Sequence, residues 1–200
     1  MTARSVAVNR EKVPLERAGL VGILAAMPSV YLAGPDVFRP DAVEHLQRLA
    51  RVAEAFGLEG LVPIDGTAAG AQTAQSIYDA NLALLRRADS VAANLMPFRG
   101  TEPDSGTVFE VGAAVMLGLP VVAYGVGKGD YLRKVRRQVP TEPDMAGVLR
   151  DMGGMAIEDF GLGLNLMLAC SVEFEDSAEE ALKALSIRLG ARPPFAAGAF

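Results

Sequence analysis

The feature that most constrains the fold is an alternation between short, wholly apolar runs and longer stretches with helical spacing. "SVYLAG" (Ser29 to Gly34) is an apolar run stopped by Gly-Pro, which reads as a buried strand ending in a turn. "PDAVEHLQRLARVAEAF" (Pro40 to Phe56) then sets Val43, Leu46, Leu49, Val52 and Phe56 on one helical face, with Gly57 as the stop. "LEGLVPID" (Leu58 to Asp65) predicts a second strand and "AQSIYDANLALLRRA" (Ala74 to Ala88) a second helix. "DSVAANLMPF" predicts the third strand, "GTVFEVGAAVMLG" the third helix and "PVVAYG" the fourth strand. Apolar strands alternating with helices predict repeated βαβ units, hence an α/β three-layer sandwich with a mostly parallel central sheet. Beyond Gly125 the pattern loosens into loops and short helices. "LGLNLMLAC" and "SAEEALKALSIRLGA" predict two closing helices, the second with Ser177 as N-cap and Glu180 at the capping-box position.

Two hundred residues, half of them apolar, fit one domain with a substantial core. The reading divides the chain into an N-terminal extension (1–28), a folded domain (29–190) and an irregular tail (191–200). A net charge of −5 argues against a nucleic-acid surface, because such affinity rests on clustered Lys and Arg; the basic run "RKVRRQ" is local and reads as a solvated helix face or an interface. "AGLVGILAAM" is too short to span a bilayer, so no membrane segment is expected. One cysteine, Cys170, excludes an internal disulfide and points to a reducing, cytoplasmic setting. One histidine, His45, excludes a histidine-based metal cluster and leaves Ser-His-Asp catalysis unsupported. It reads as a surface or boundary residue, and neither metal nor cofactor is expected.

Open parallel sheets bind ligands at the carboxyl ends of their strands. The loops that fall there are "AGPDVFRP", "PIDGTAAG" and "MPFRGTEPDSG", and they bring Asp36, Arg39, Asp65, Arg99, Glu102 and Asp104 to one edge, with Gly34 and Phe38 in the first of them. This is polar loop chemistry on an apolar scaffold, suited to a small polar molecule.

Within "EPDSGTVFEVGAAVMLGLPVVAYG", Glu110 is the only charged residue between Ser105 and Gly127. An ionised carboxylate in an apolar run is costly unless compensated. One reading makes it the partner of Thr107 in a capping box; Asp104 then serves as a turn residue or an alternative cap. The other reading makes Asp104 and Glu110 a pair of carboxylates facing one crevice. Such pairs suit chemistry at an anomeric carbon, where one group attacks or stabilises the oxocarbenium-like centre and the other manages a proton. The helix N-terminus would favour the ionised form of the attacking group.

The run "YLAGPDVF", then "PID", then "IYDANLALLRRADSVAANLMPFRGTEPDSGTVFEVGAAVMLGLPVVAY" and "IEDFGLGLNLML" resembles the nucleoside 2-deoxyribosyltransferase family from Val30 to about Leu168. Its most specific part is the D-S-G-T-x-x-E-x-G-x-A block, which includes Gly106. The resemblance implies a flavodoxin-like fold and a double displacement in which Glu110 attacks C1′ of a 2′-deoxynucleoside. A deoxyribosyl ester forms and a second base takes the sugar. It implies that Asp104 passes the proton at the base and that Tyr31 orients Glu110. Asn81 stands where better-known members often carry Asp, which puts the proton-transfer assignment in question.

Asn165 matches an Asn-Leu-Met element that holds the sugar 5′-hydroxyl in a neighbouring subunit's site, so the resemblance implies a homo-oligomer with shared sites. Asn165 reads equally well as a helix N-cap. The implied partners are deoxynucleosides and nucleobases. Two other readings stay open: a hydrolase of nucleoside 5′-monophosphates on the same scaffold, with Arg39 or Arg99 clamping phosphate, and a non-catalytic nucleotide- or base-sensing module.

Overall fold

The computed structural model describes residues 26–63, 73–127, 129 and 131–193. Five strands, β1 (Ser29–Ala33), β2 (Glu59–Leu61), β3 (Ser90–Asn94), β4 (Val121–Tyr124) and β7 (Glu173–Phe174), form one sheet in the order β2-β1-β3-β4-β7. Every pairing in it is parallel. The helices of the layers are α1 (Ala42–Ala55), α2 (Ala74–Arg87), α3 (Ser105–Met116), α5 (Leu166–Ala169) and α6 (Ala178–Leu189). A short helix α4 (Tyr131–Gln138) and an antiparallel hairpin, β5 (Thr141–Pro143) with β6 (Leu149–Asp151), stand between β4 and α5.

Strands β1, β3 and β4 read as largely apolar runs because both faces of the sheet are covered there. Successive side chains still alternate. Val30 and Leu32 pack with Ala92, Val122 and the α6 residues Leu182 and Leu185. Tyr31 and Ala33 pack on the opposite face with Val91, Ala93, Val111 and Ala114. Each Val or Leu so buried contributes about 1.5–3 kcal/mol relative to exposure in water. Ser177 caps α6 by accepting from the Glu180 amide, as its spacing predicts, and Gly190 closes that helix at φ 63°.

Several elements differ from the sequence expectation. Helix α1 starts at Ala42, and Val43 in its first turn is exposed rather than on the buried face; the residues that α1 buries fully, Leu46 and Ala53, come further along the helix. The hairpin was not predicted: "TEP" and "LRD" are too short and polar to signal strands, and their pairing is set by the intervening turn, where Asp144 Oδ1 accepts from the amides of Ala146 and Val148. "LGLNLMLAC" yields only the four-residue α5, and the edge strand β7 that follows it has two residues. The N-terminal extension through residue 25 and the tail from residue 194 lie outside the described residues.

Chain direction reverses between β1 and β3: β1 leads outward to β2, and the chain then returns across β1 to β3. That reversal opens a crevice at the carboxyl ends of β1 and β3, where a ligand has least main chain in its way.

Candidate active site

A cavity of about 280 Å³ occupies this crevice. Gly34, Val37 and Phe38 line it from the loop after β1, Pro63 from the end of β2, Ile77 and Asn81 from α2, and Asp104, Gly106, Thr107 and Glu110 from the start of α3.

Helix α3 begins at Ser105, with Asp104 as its N-cap. Asp104 Oδ2 accepts from the Thr107 amide at 2.9 Å and from the Thr107 hydroxyl at 3.1 Å. A Cβ at Gly106 would lie 3.0 Å from that oxygen, so a larger residue would press on the cap. This overturns the capping box of Thr107 with Glu110. Thr107 is itself buried in the first turn, and Glu110 lies beyond the amides a cap serves.

Relieved of capping, Glu110 turns into the crevice. Its Oε1 accepts a hydrogen bond of 2.6 Å from the hydroxyl of Tyr31, a fully buried residue of β1. Burial raises the Glu110 carboxyl above its ordinary value, the Tyr31 hydrogen bond lowers it, and the charge of Asp104 raises it again, with a net upward shift. The expected helix-terminus effect is not what governs the group: Glu110 sits past the first turn, where that field has decayed.

The other predicted positions divide. Asn81, Gly34, Phe38 and Gly106 share the cavity with Glu110 and Asp104. Arg99 stands at the rim in a left-handed conformation (φ 55°), its guanidinium carbon 4.5 Å from the centroid of Phe98 and 5.2 Å from that of Phe38. The two rings stack at 5.2 Å, so Phe38 is held from the side by an aromatic and a cation. Arg39 is engaged by Asp41, Nε to Oδ1 at 2.9 Å and Nη2 to Oδ2 at 3.3 Å. Asp36 is buried and turns away from the cavity toward Asn94 and His45. Asp65 lies outside the described residues.

Asn165 is on the other side of α3. It caps α5 by accepting from the Met167 amide at 3.0 Å and donates to Glu158 at 2.7 Å. It lines a second, apolar groove of about 640 Å³ between α3 and α5, with Val108, Val115, Met116 and Met167. The loop between the two cavities is braced by Tyr131, whose hydroxyl donates to Glu102 at 2.5 Å. Burial, then Glu102, push that phenol above its usual range.

Sequence reasoning missed Val37, Pro63 and Ile77 as cavity walls. Ile77 carried a usable signal, being one turn before Asn81 on the same helix. Among the described residues no group of three or more His, Cys, Asp or Glu is arranged to hold a metal, and no helix is long and apolar enough to cross a membrane.

An open parallel sheet with two carboxylates meeting at its switch point defines a class of α/β proteins that work on small polar molecules. The chain belongs to the nucleoside 2-deoxyribosyltransferase family, whose model matches residues 30–167. A 2-deoxyribosyltransferase from Leishmania mexicana is 30% identical and superposes with a TM-score of 0.62, covering 80% of this chain and 97% of that one. A 2-deoxyribosyltransferase from Bacillus psychrosaccharolyticus, 17% identical, shares the fold with a TM-score of 0.52, covering 84% of this chain and 99% of that one. An uncharacterized protein of Schizosaccharomyces pombe is 28% identical over 194 residues, 83% of this chain and 92% of that one. The chain is thus a transferase of the deoxyribosyltransferase kind, with nucleosides and bases as its class of substrate.

Proposed function

We propose that this protein moves 2-deoxyribose between nucleobases by double displacement, a reaction suited to nucleobase salvage. Glu110 attacks C1′ of a 2′-deoxynucleoside while the glycosidic electrons leave with the base nitrogen, which takes a proton by way of Asp104. The sugar is then held as an ester on Glu110 until a second base attacks C1′, gives up its proton and restores the carboxylate. Two inversions give net retention.

The observation that carries this reading is the Tyr31 hydroxyl on Glu110 Oε1, which holds a desolvated carboxylate facing the cavity instead of a helix end. A desolvated carboxylate is the stronger nucleophile, and the phenol fixes which oxygen is presented. Phe38, flanked by Phe98 and Arg99, offers an apolar face for a base. The engagement of Arg39 by Asp41 and of Arg99 by two rings supports transfer from nucleosides over hydrolysis of their phosphates.

A second copy of the chain is the proposed occupant of the groove that Asn165 lines, placing Asn165 beside the neighbour's sugar. Helix α3 supports this: it is apolar on both sides, with Met116 almost fully exposed.

The test is incubation with 2′-deoxyinosine, with and without adenine, following all bases and nucleosides by chromatography. Adenine-dependent 2′-deoxyadenosine is expected. Hypoxanthine release indifferent to adenine would mark a hydrolase, and failure to turn over any nucleoside or nucleoside monophosphate would mark a binding module.

A further inference from the structure

We infer that His45, the chain's one histidine, is a positioning residue for the base-facing wall of the cavity, acting through the buried carboxylate of Asp36. The inference rests on reading this cavity as the site of base exchange.

Asp36 lies in the short turn Pro35–Phe38 and is 6% exposed. A carboxylate so buried must be paired and hydrogen-bonded. Its Oδ2 accepts from Asn94 Nδ2 at 2.8 Å, and its Oδ1 lies 3.0 Å from His45 Nε2. Asn94 is fixed in turn, its Oδ1 accepting from the Met96 amide at 3.2 Å. One carboxylate therefore ties together the loop after β1, helix α1 and the end of β3.

The surrounding space is closed. A Cβ at Gly34 would sit 2.8 Å from Asp36 Oδ2 and 2.8 Å from Asn94 Cβ, and one at Gly125 would sit 2.6 Å from Asn94 Oδ1.

The environment also selects the tautomer. Nε2 faces a carboxylate oxygen and must carry the hydrogen, while Nδ1 faces Arg48 Nη2, a donor, at 3.5 Å. An imidazole with its hydrogen on Nε2 meets both demands. The other groups around it are Glu44 beside it on α1, Asp41 paired with Arg39 and Arg48, and Tyr124 of β4, which feels the charge of Asp36.

Asp36 does not line the cavity, but its neighbours in the same turn, Val37 and Phe38, do, as does Gly34. A wall that contacts the base in ground state and transition state alike governs binding more than the chemical step. Losing one hydrogen bond to a charged group should therefore appear in KM.

The experiment compares His45→Ala and His45→Gln with the unmutated protein in base exchange between 2′-deoxyinosine and adenine. Glutamine places an amide N–H near the position of Nε2. His45→Ala is expected to raise KM for adenine about tenfold with kcat changed by less than about threefold, and His45→Gln to restore KM to within about threefold. Unchanged KM in His45→Ala, equal losses in both variants, or a loss confined to kcat overturns the inference.

An arm on the unmutated, tag-free protein does not depend on either variant folding. The long-range ¹H–¹⁵N spectrum of its single imidazole is expected to show the Nε2–H tautomer and to shift on adding adenine. The other tautomer, or resonances indifferent to adenine in an exchange-active protein, overturns it. An unmutated protein that catalyses no exchange refutes the transferase reading instead, and the tautomer then still decides whether His45 holds Asp36.

Discussion

The hydroxyl of Tyr31, from the third residue of the first strand, meets Oε1 of Glu110, from the second turn of the third helix, at 2.6 Å. The pair joins a side chain rooted in the core to one that faces the crevice. The hydrogen bond lowers the Glu110 carboxyl against burial, the larger influence, and Asp104, which both raise it.

Replacing Tyr31 by Phe removes the interaction that lowers the Glu110 carboxyl and leaves burial and Asp104, which raise it. The acid limb of the pH–rate profile is expected to move to higher pH, while the rate on the plateau falls roughly tenfold through loss of orientation. An acid limb at the same pH in a folded variant would contradict the assignment of this limb to Glu110.

Glu110→Gln is expected to reduce transfer by on the order of 10³-fold or more. It also has a stability signature. The folded-state value of Glu110 is raised, so the stability its protonated form contributes is complete below the ordinary glutamate range and lost as pH climbs through the folded value. The neutral amide avoids that loss. Thermal unfolding is expected to show Glu110→Gln more stable than the unmutated protein at neutral pH, with the difference shrinking as pH falls through the raised folded value and gone below about pH 4.5.

Asp104 has two duties that one substitution separates. Asparagine is as good an N-cap as aspartate, so Asp104→Asn should change stability by less than about 0.5 kcal/mol. It cannot pass a proton, and exchange should fall about 10²-fold or more. Denaturant melts and rates on the same preparation check this; retained activity would leave Asp104 a cap and nothing more.

Phe38→Ala is expected to raise KM for the incoming base about tenfold, the scale of one lost aromatic stacking contact. Arg99→Ala, which leaves the Phe38 ring but removes the cation over it, should give a smaller rise, about threefold. A change in kcat with KM unmoved in both variants would remove these residues from base binding.

Asn165→Ser keeps a capping hydroxyl on α5 but shortens the reach into the groove. If sites are shared, mixed oligomers of Asn165→Ser and Glu110→Gln subunits regain activity that neither has alone. Co-assembled subunits that stay inactive would confine Asn165 to its own chain.

The parallel sheet was legible because β1, β3 and β4 fall in largely apolar runs punctuated by Gly, Pro or a helical period. The hairpin and β7 were not, because runs of three and two residues carry no periodicity. Glu110 was legible as a lone charge, but its partner at 79 residues' separation was reachable only through the family resemblance, since no local pattern links Tyr31 to it. The start of α3 was misplaced on one reading because Asp104 and Thr107 are both good caps, and which one wins depends on the buried contact between them. Asp36 was drawn into the site by its loop, while the closed space around Gly34 and Asn94 turns it inward, something spacing does not encode.

Helix α6, nearly the last described element, covers the same sheet face as α1 and is tied back to it by the Ser186 hydroxyl, which donates to the Phe56 carbonyl at 2.7 Å. Strand β3, the middle of the sheet, and its neighbour β4 pack against α6, so their cover arrives last. During synthesis α1 reaches Val30 and Leu32 early, but Ala92 and Val122 wait for Leu182 and Leu185 to leave the ribosome, so the nascent chain carries part of an adhesive face from the making of β3 and β4 until α6 arrives.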